Sequence, residues 1–144
     1  MDLIFLTLPW LGVGLFMAVF FRNPPGLPPA PRGKQEGLPF VSIIVPARNE
    51  ETNIERCTTS LAALDYPAFE VLVVDDRSQD RTAQITEKQS ERHPSTVHLI
   101  PGKPLPEGWF GKPWACWQGA QEARGDLLLF TDADTVHSPD LLNR

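Results

Sequence analysis

Leu127-Leu128-Leu129-Phe130-Thr131-Asp132-Ala133-Asp134 is a short apolar run that ends in two carboxylates with one small residue between them. The run reads as a strand buried on both faces, as in a parallel sheet covered by helices. The acids then emerge at its C-terminal edge, where open α/β sheets place ligands. Two carboxylates this close repel unless a cation lies between them or solvent screens them. Hard divalent cations such as Mg²⁺ and Mn²⁺ take oxygen ligands and often bridge carboxylates to substrate phosphates. The stretch therefore points to a metal–diphosphate site. On the tripeptide alone the commoner reading is plainer: a loop whose acids cap the next helix.

Upstream, the chain alternates strand and helix signals. Phe40–Val45 is a β-branched run stopped by Pro46. Asn49 suits an N-cap, and Glu50 and Glu51 suit a first turn. Ile54, Cys57, Leu61 and Leu64 then recur at helical spacing, and Asp65-Tyr66-Pro67 ends that helix. Phe69–Val74 is a second strand, again closed by paired acids, Asp75-Asp76. Ser78 or Asp80 caps a polar, peripheral helix from Thr82 to Arg92, which Pro94 closes. Val97–Ile100 is a third strand, and 101–113 is a loop rich in proline and glycine. Trp114–Ala123 is a third helix with Gly125 in a C-terminal capping role. The opening stretch supplies the fourth strand, and Ser138-Pro139 starts a further helix.

Such units imply an α/β fold with a parallel sheet and right-handed crossovers. The expected strand order is 3-2-1-4. That order reverses direction between the first and fourth strands and opens a crevice flanked by Pro46-Ala47-Arg48-Asn49 and Asp132-Ala133-Asp134, with Asp75-Asp76 nearby. Three strand ends put polar residues at one edge, which raises the functional reading above the plain one. The turn after the first strand has no glycine, so a dinucleotide fold is disfavoured, and there is no Walker-type loop. Diphosphate charge would then need a metal and side chains: Asp132 and Asp134 for the ion, Lys112 and Arg48 as cations.

The totals bound the rest. There are 144 residues, enough for one modest domain, and the net charge of −5 disfavours a nucleic-acid partner. Cys57 and Cys116, the only cysteines, lack metal-type spacing and read as free core thiols in a reducing compartment. Leu3–Phe21 is uncharged and almost wholly apolar. At ~1.5 Å per residue it spans roughly 28 Å as a helix, close to the hydrocarbon core. Residues 1–22 therefore read as a retained transmembrane anchor in preference to a cleaved signal peptide, which would need a basic start and a small-residue cleavage site. Arg22, Arg32 and Lys34 place the remainder of the chain in the cytoplasm. Residues 23–39 hold a proline-rich run that reads as a semi-rigid linker.

Val41–Glu51, Tyr66-Pro67, Glu70–Asp80 and Thr131–Asp134, in this order and at these spacings, resemble the family 2 glycosyltransferases of GT-A fold. The resemblance runs from about Phe40 to Leu142. Pro104–Cys116 is similar to membrane-bound members associated with hopanoids or carotenoids. The resemblance implies a Rossmann-like, nucleotide-diphospho-sugar-binding domain over 40–144, truncated on its acceptor side. It further implies a UDP-linked donor, a divalent metal and a membrane-associated lipid acceptor. Pro46, Ala47, Arg48, Asn49 and Glu50 would border the nucleoside. Asp76, with Asp75 beside it, matches the acid that reads the base. Asp132 matches the acid near ribose and metal, Asp134 the main metal ligand, and Lys112 a donor-contacting lysine. No residue before Arg144 matches the catalytic base, so weak binding of donor and metal and little turnover are expected from this chain alone. The rival expectation is an inactive, membrane-tethered binding or scaffold fragment. Trp109, Phe110, Trp114 and Trp117 carry several readings: a way in for a lipid acceptor, ordinary core and loop anchors, or surface that further sequence would cover.

Overall fold

The computed structural model describes residues 37–143. The expected anchor and most of the expected linker lie outside that range. Among the described residues no helix is long and apolar enough to cross a membrane.

The elements are β1 (Val41–Ala47), α1 (Ile54–Ala62), β2 (Phe69–Asp75), α2 (Thr82–Arg92), β3 (Val97–Pro101), α3 (Gly111–Glu122) and β4 (Leu127–Phe130). A 3-10 turn, Leu141–Asn143, comes after them. All four strands are parallel, in the order β3-β2-β1-β4. Alternation along β1 splits the core in two. Val41, Ile43 and Val45 join Val71, Val73 and Leu129 beneath Ile54, Cys57 and Leu61 of α1. Ile44 and Val74 point to the other face and meet Ala115 of α3. Gly119 makes this second contact close: a Cβ there would lie 2.5 Å from the Ile44 Cγ2 methyl. Burying each of these aliphatic side chains contributes about 1.5–3 kcal/mol, so β1 and β2, buried on both faces, anchor the sheet.

Several expectations need correction. β4 is not buried on both faces: Leu127, Leu128 and Phe130 are exposed. It is the edge strand, and α3 lies over β1 and β2, so only Leu129 reaches the core. Asn49 caps no helix. It sits at φ 56°, and α1 begins only at Ile54 after a turn in which Glu50 O accepts the N–H groups of Asn53 and Ile54. α3 starts three residues early, at Gly111, because Pro113 falls in the first turn, where no N–H is needed. Gly125 is no cap. Its N–H donates to Ser42 Oγ, and a Cβ would lie 2.5 Å from Ser42 N, so close backbone approach demands glycine. α2 is polar but not peripheral: Thr82, Thr86 and Gln89 are fully buried against α1 and β3. The Thr86 hydroxyl satisfies itself on Thr82 O. Ser138-Pro139 precedes only the 3-10 turn, with Pro139 O accepting from Asp65 N–H.

Candidate functional site

Hydrogen bonds continue the ladder beyond the strands. Asp76 N–H donates to Ala47 O at 2.8 Å, and Thr131 N–H donates to Ile44 O at 3.1 Å. The loops after β1, β2 and β4 are thereby held side by side at one sheet edge. The first two are also laced by side chains. Asn49 N–H donates to Ser78 Oγ, and Asn49 Oδ1 accepts Gln79 N–H, both at 2.9 Å. Thr82 Oγ1 accepts Glu50 N–H, and Asp80 Oδ2 accepts Glu51 N–H. Asn49 and Arg77 both hold left-handed backbone, at φ 56°. Such positions cost about 1–3 kcal/mol each for most residues, less for asparagine, and persist where neighbours over-determine them.

The edge opens into a cleft of about 400 Å³ lined by Pro46, Ala47, Arg48, Glu50, Asp76, Gly111, Lys112, Ala115 and Asp132 to Asp134. Of the expected residues, Asn49 and Asp75 do not line it. Asn49 is spent on the neighbouring loop. Asp75 is 8% exposed, and its Oδ2 accepts Ser78 N–H at 3.3 Å. Asp76, 3% exposed, receives Arg77 Nε and Nη2 on Oδ1 and Arg48 Nη1 at 3.5 Å on Oδ2. Gly111 begins α3 against the same carboxylate, with space for a Cβ only 3.0 Å from Oδ2. Lys112 Nζ lies 2.5 Å from Asp132 Oδ1, and that hydrogen bond raises the lysine pKa. Asp134 is exposed, and its carboxylate has no hydrogen-bond partner among the described residues.

The loop carrying Asp132 and Asp134 is held by groups that sequence reasoning left without a role. His137 Nε2 lies 3.0 and 2.9 Å from the Thr131 and Thr135 hydroxyls, and Thr135 Oγ1 donates to Asp132 O at 2.6 Å. Arg56 donates to Asp134 O, and the Cys57 thiol to Asp132 O. Behind the edge, buried Glu70 accepts from Ser42 Oγ and from three N–H groups of Arg124. A sequence signal for that network existed: Ser42 and Glu70 are polar residues inside apolar strands, and they are register partners.

The glycosyl transferase family 2 model matches residues 42–144. The chain belongs to glycosyl transferase family 2. This family 2 chain is 36% identical over 103 residues to the 4,4'-diaponeurosporenoate glycosyltransferase of Staphylococcus haemolyticus, covering 70% of this chain and 26% of that one. The S. aureus TarS 1-349 structure in complex with UDP-GlcNAc superposes with a TM-score of 0.60 at 36% identity, over 72% of this chain and 29% of that one. Mannosyltransferase PcManGT from Pyrobaculum calidifontis, in complex with GDP-Man and Mn²⁺, gives a TM-score of 0.72 at 29% identity, over 97% of this chain and 41% of that one. The chain spans about a quarter to a third of the length of the curated relatives it matches.

The lining tests whether a divalent ion fits. Four carboxylates (Glu50, Asp76, Asp132, Asp134) and two cations (Arg48, Lys112) give the cleft a negative balance. A diphosphate brought there without added positive charge would be repelled. Hard oxygen donors from Asp132 and Asp134 suit Mg²⁺ or Mn²⁺, which commonly use one or two carboxylates plus phosphate oxygens and water. Among the described residues no cluster of three or more His, Cys, Asp or Glu could hold an ion by itself. The arrangement fits a metal bound jointly with its substrate.

Proposed function

We propose that this chain is the donor-binding portion of a metal-dependent glycosyltransferase that takes a sugar from a UDP-linked donor to a membrane-associated lipid acceptor. The observation that carries the reading is the convergence of Arg48, Asp76, Lys112, Asp132 and Asp134 on one cleft at the strand order's point of reversal. The loop from Pro46 to Glu50 borders the nucleoside. Asp76, fixed by Arg48 and Arg77, accepts hydrogen bonds from the base, while Asp75 braces it by holding Ser78 N–H. Lys112 and Arg48 offset phosphate charge. Asp132 and Asp134 hold the divalent ion, which would supply Lewis-acid stabilisation to the departing diphosphate. The complexes of TarS and PcManGT support a nucleotide-sugar donor, and the latter supports Mn²⁺. A relative named undecaprenyl-phosphate 4-deoxy-4-formamido-L-arabinose transferase, from Pseudomonas aeruginosa and 32% identical over 110 residues, supports a lipid acceptor. The apolar run 3–21 supports a single-pass anchor with the domain on the cytoplasmic side.

The test is calorimetric titration of the purified chain with UDP, with and without Mn²⁺. UDP should bind only with Mn²⁺. Asp134→Ala, an exposed change that leaves the fold intact, should weaken binding about tenfold or more, as expected for loss of a charged ligand worth roughly 1.5–3 kcal/mol. UDP binding that ignores both Mn²⁺ and Asp134 would refute the assignment. Binding of neither UDP nor Mn²⁺ would favour the tethered scaffold.

A further inference from the structure

The loop before α3 displays apolar side chains that the donor cleft does not use. Phe110 is 78% exposed, and Trp109, Trp117 and Leu105 are also exposed. They are not loose. Trp114, buried, stacks on Trp117 with ring centroids 5.0 Å apart and meets Trp109 edge-on at 5.2 Å. Its indole N–H donates to Lys103 O, and Lys103 N–H donates to Gln118 Oε1. Gly108, at φ 81°, makes the turn that returns Trp109 and Phe110 to the helix. A rigid aromatic platform results, and it adjoins the cleft, since Gly111 and Lys112 come directly after Phe110 and line it.

We propose that this platform rests on the lipid bilayer at headgroup depth and so presents the cleft's mouth to the membrane surface. Tryptophan is the residue type that favours the membrane–water boundary, with an apolar ring and a polar N–H. Exposed Lys103 and exposed Glu107 lie on the same loop, so its charge is balanced and the rings carry the contact. Residues 22–38 of the tether, at ~3.1 Å per residue when extended, reach roughly 50 Å. That exceeds the width of a domain this size, about 30 Å, so any face can touch the bilayer. Tethering also raises the platform's effective concentration at the membrane, so a few rings suffice. Four exposed side chains fall well short of the roughly 20–30 residues a side of a stable dimer, which argues against a second copy as occupant. The inference rests on the anchored reading of residues 3–21, and not on the identity of the donor.

The test uses the full chain carrying Trp10→Phe, so that every remaining tryptophan is on the platform. It is reconstituted in vesicles of equal phosphatidylcholine and phosphatidylglycerol. Lipids brominated near the headgroup end of the acyl chain should lower the emission roughly twofold, and lipids brominated near the methyl end much less, as for indoles at the interface. Adding Phe110→Asp should reduce the shallow quenching while UDP affinity stays unchanged. Quenching by aqueous acrylamide but not by bromolipid would overturn the proposal, because the platform would face water. Protection from both quenchers would overturn it in favour of a protein partner. A chain that alkaline carbonate extracts from the vesicles would remove the tether and with it the inference. UDP titration on the same samples separates the two readings: bromolipid quenching without UDP binding sinks the donor assignment alone.

Discussion

Arg124→Ala tests how far the cleft depends on a clamp behind it. Glu70 is 1% exposed and accepts four hydrogen bonds. Oε1 takes Ser42 Oγ at 2.7 Å and Arg124 N–H at 2.9 Å. Oε2 takes Arg124 Nε at 2.9 Å and Nη2 at 2.6 Å. The substitution removes both donors on Oε2 and leaves the other oxygen served. Breaking a fully buried pair costs about 3–5 kcal/mol. The Arg124 side chain is 67% exposed, so water can reach the vacated oxygen, and about 2 kcal/mol is the reasoned loss. Arg124→Lys keeps the charge but not the two-pronged geometry and should lose roughly half as much. The pH dependence comes from Glu70. Burial pushes its carboxyl up, but the Arg124 and Ser42 hydrogen bonds outweigh that and hold it below the ordinary 4.5. Its stabilisation is therefore full above 4.5 and lost as pH falls through the lower folded value. In Arg124→Ala the uncompensated burial raises the folded value, so the acid unfolding transition moves to higher pH. Urea unfolding followed by tryptophan emission, at neutral and mildly acidic pH, reads both effects. Arg124 immediately precedes Gly125 and β4, so UDP affinity should fall with stability. An Arg124→Ala chain within ~0.5 kcal/mol of the parent, with an unmoved acid transition, would refute the reasoning.

Three further outcomes are expected. Gly125→Ala, which forces a Cβ to 2.5 Å from Ser42 N and 2.8 Å from Leu127 O, should cost about 1–3 kcal/mol in urea unfolding, because neither backbone atom can yield. Burial lowers the His137 pKa below its ordinary 6.5, so stability should be full above that value and decline as pH falls toward the depressed one. His137→Gln should abolish that segment of the stability–pH profile, and an unchanged profile would discount the residue. Burial pushes the Cys57 thiol up to about 11, so peptide mapping after neutral-pH maleimide treatment should find it unmodified until denaturant is added.

The sheet was legible because its signals were local and redundant. β-branched runs ended by proline or acids gave β1 and β2, and the alternation with helices gave order 3-2-1-4. What escaped were features decided by contacts distant in sequence. The apolar run at β4 predicts burial on both faces, but burial depends on where α3 lies, and that helix covers β1 and β2 instead. Asn49 and Gly125 carry the right chemistry for caps; the partners that claim them, Ser78 with Gln79 and Ser42, lie about 30 and 83 residues away. The helix of Thr86 and Gln89 reads as peripheral because a helical wheel cannot show that the Thr86 hydroxyl will bond its own preceding turn or that the Gln89 amide will reach Glu55 on the neighbouring helix. The cleft's loops were legible as loops, and their lacing was not.

The ends of β2 and β4 carry acids of the same type, yet the structure separates them by what already holds them. Asp75 is buried behind the cleft and spends one oxygen on Ser78 N–H. Asp76 is buried but open to the cleft at the start of α3, with two arginines fixing its plane. A carboxylate so fixed can accept from a neutral donor such as a base N–H, while two nearby guanidinium groups make it a poor site for a further cation. Asp132 shares Lys112, an exposed partner that exchanges readily with solvent. Asp134 has no side-chain partner among the described residues and keeps the full electrostatic demand of an unpaired acid. Cation affinity should therefore rise from Asp75 and Asp76 through Asp132 to Asp134. Asp76 N–H is fixed on Ala47 O, and Asp132 O accepts the buried Cys57 thiol, so the loops that carry these acids are held in place beside the cleft.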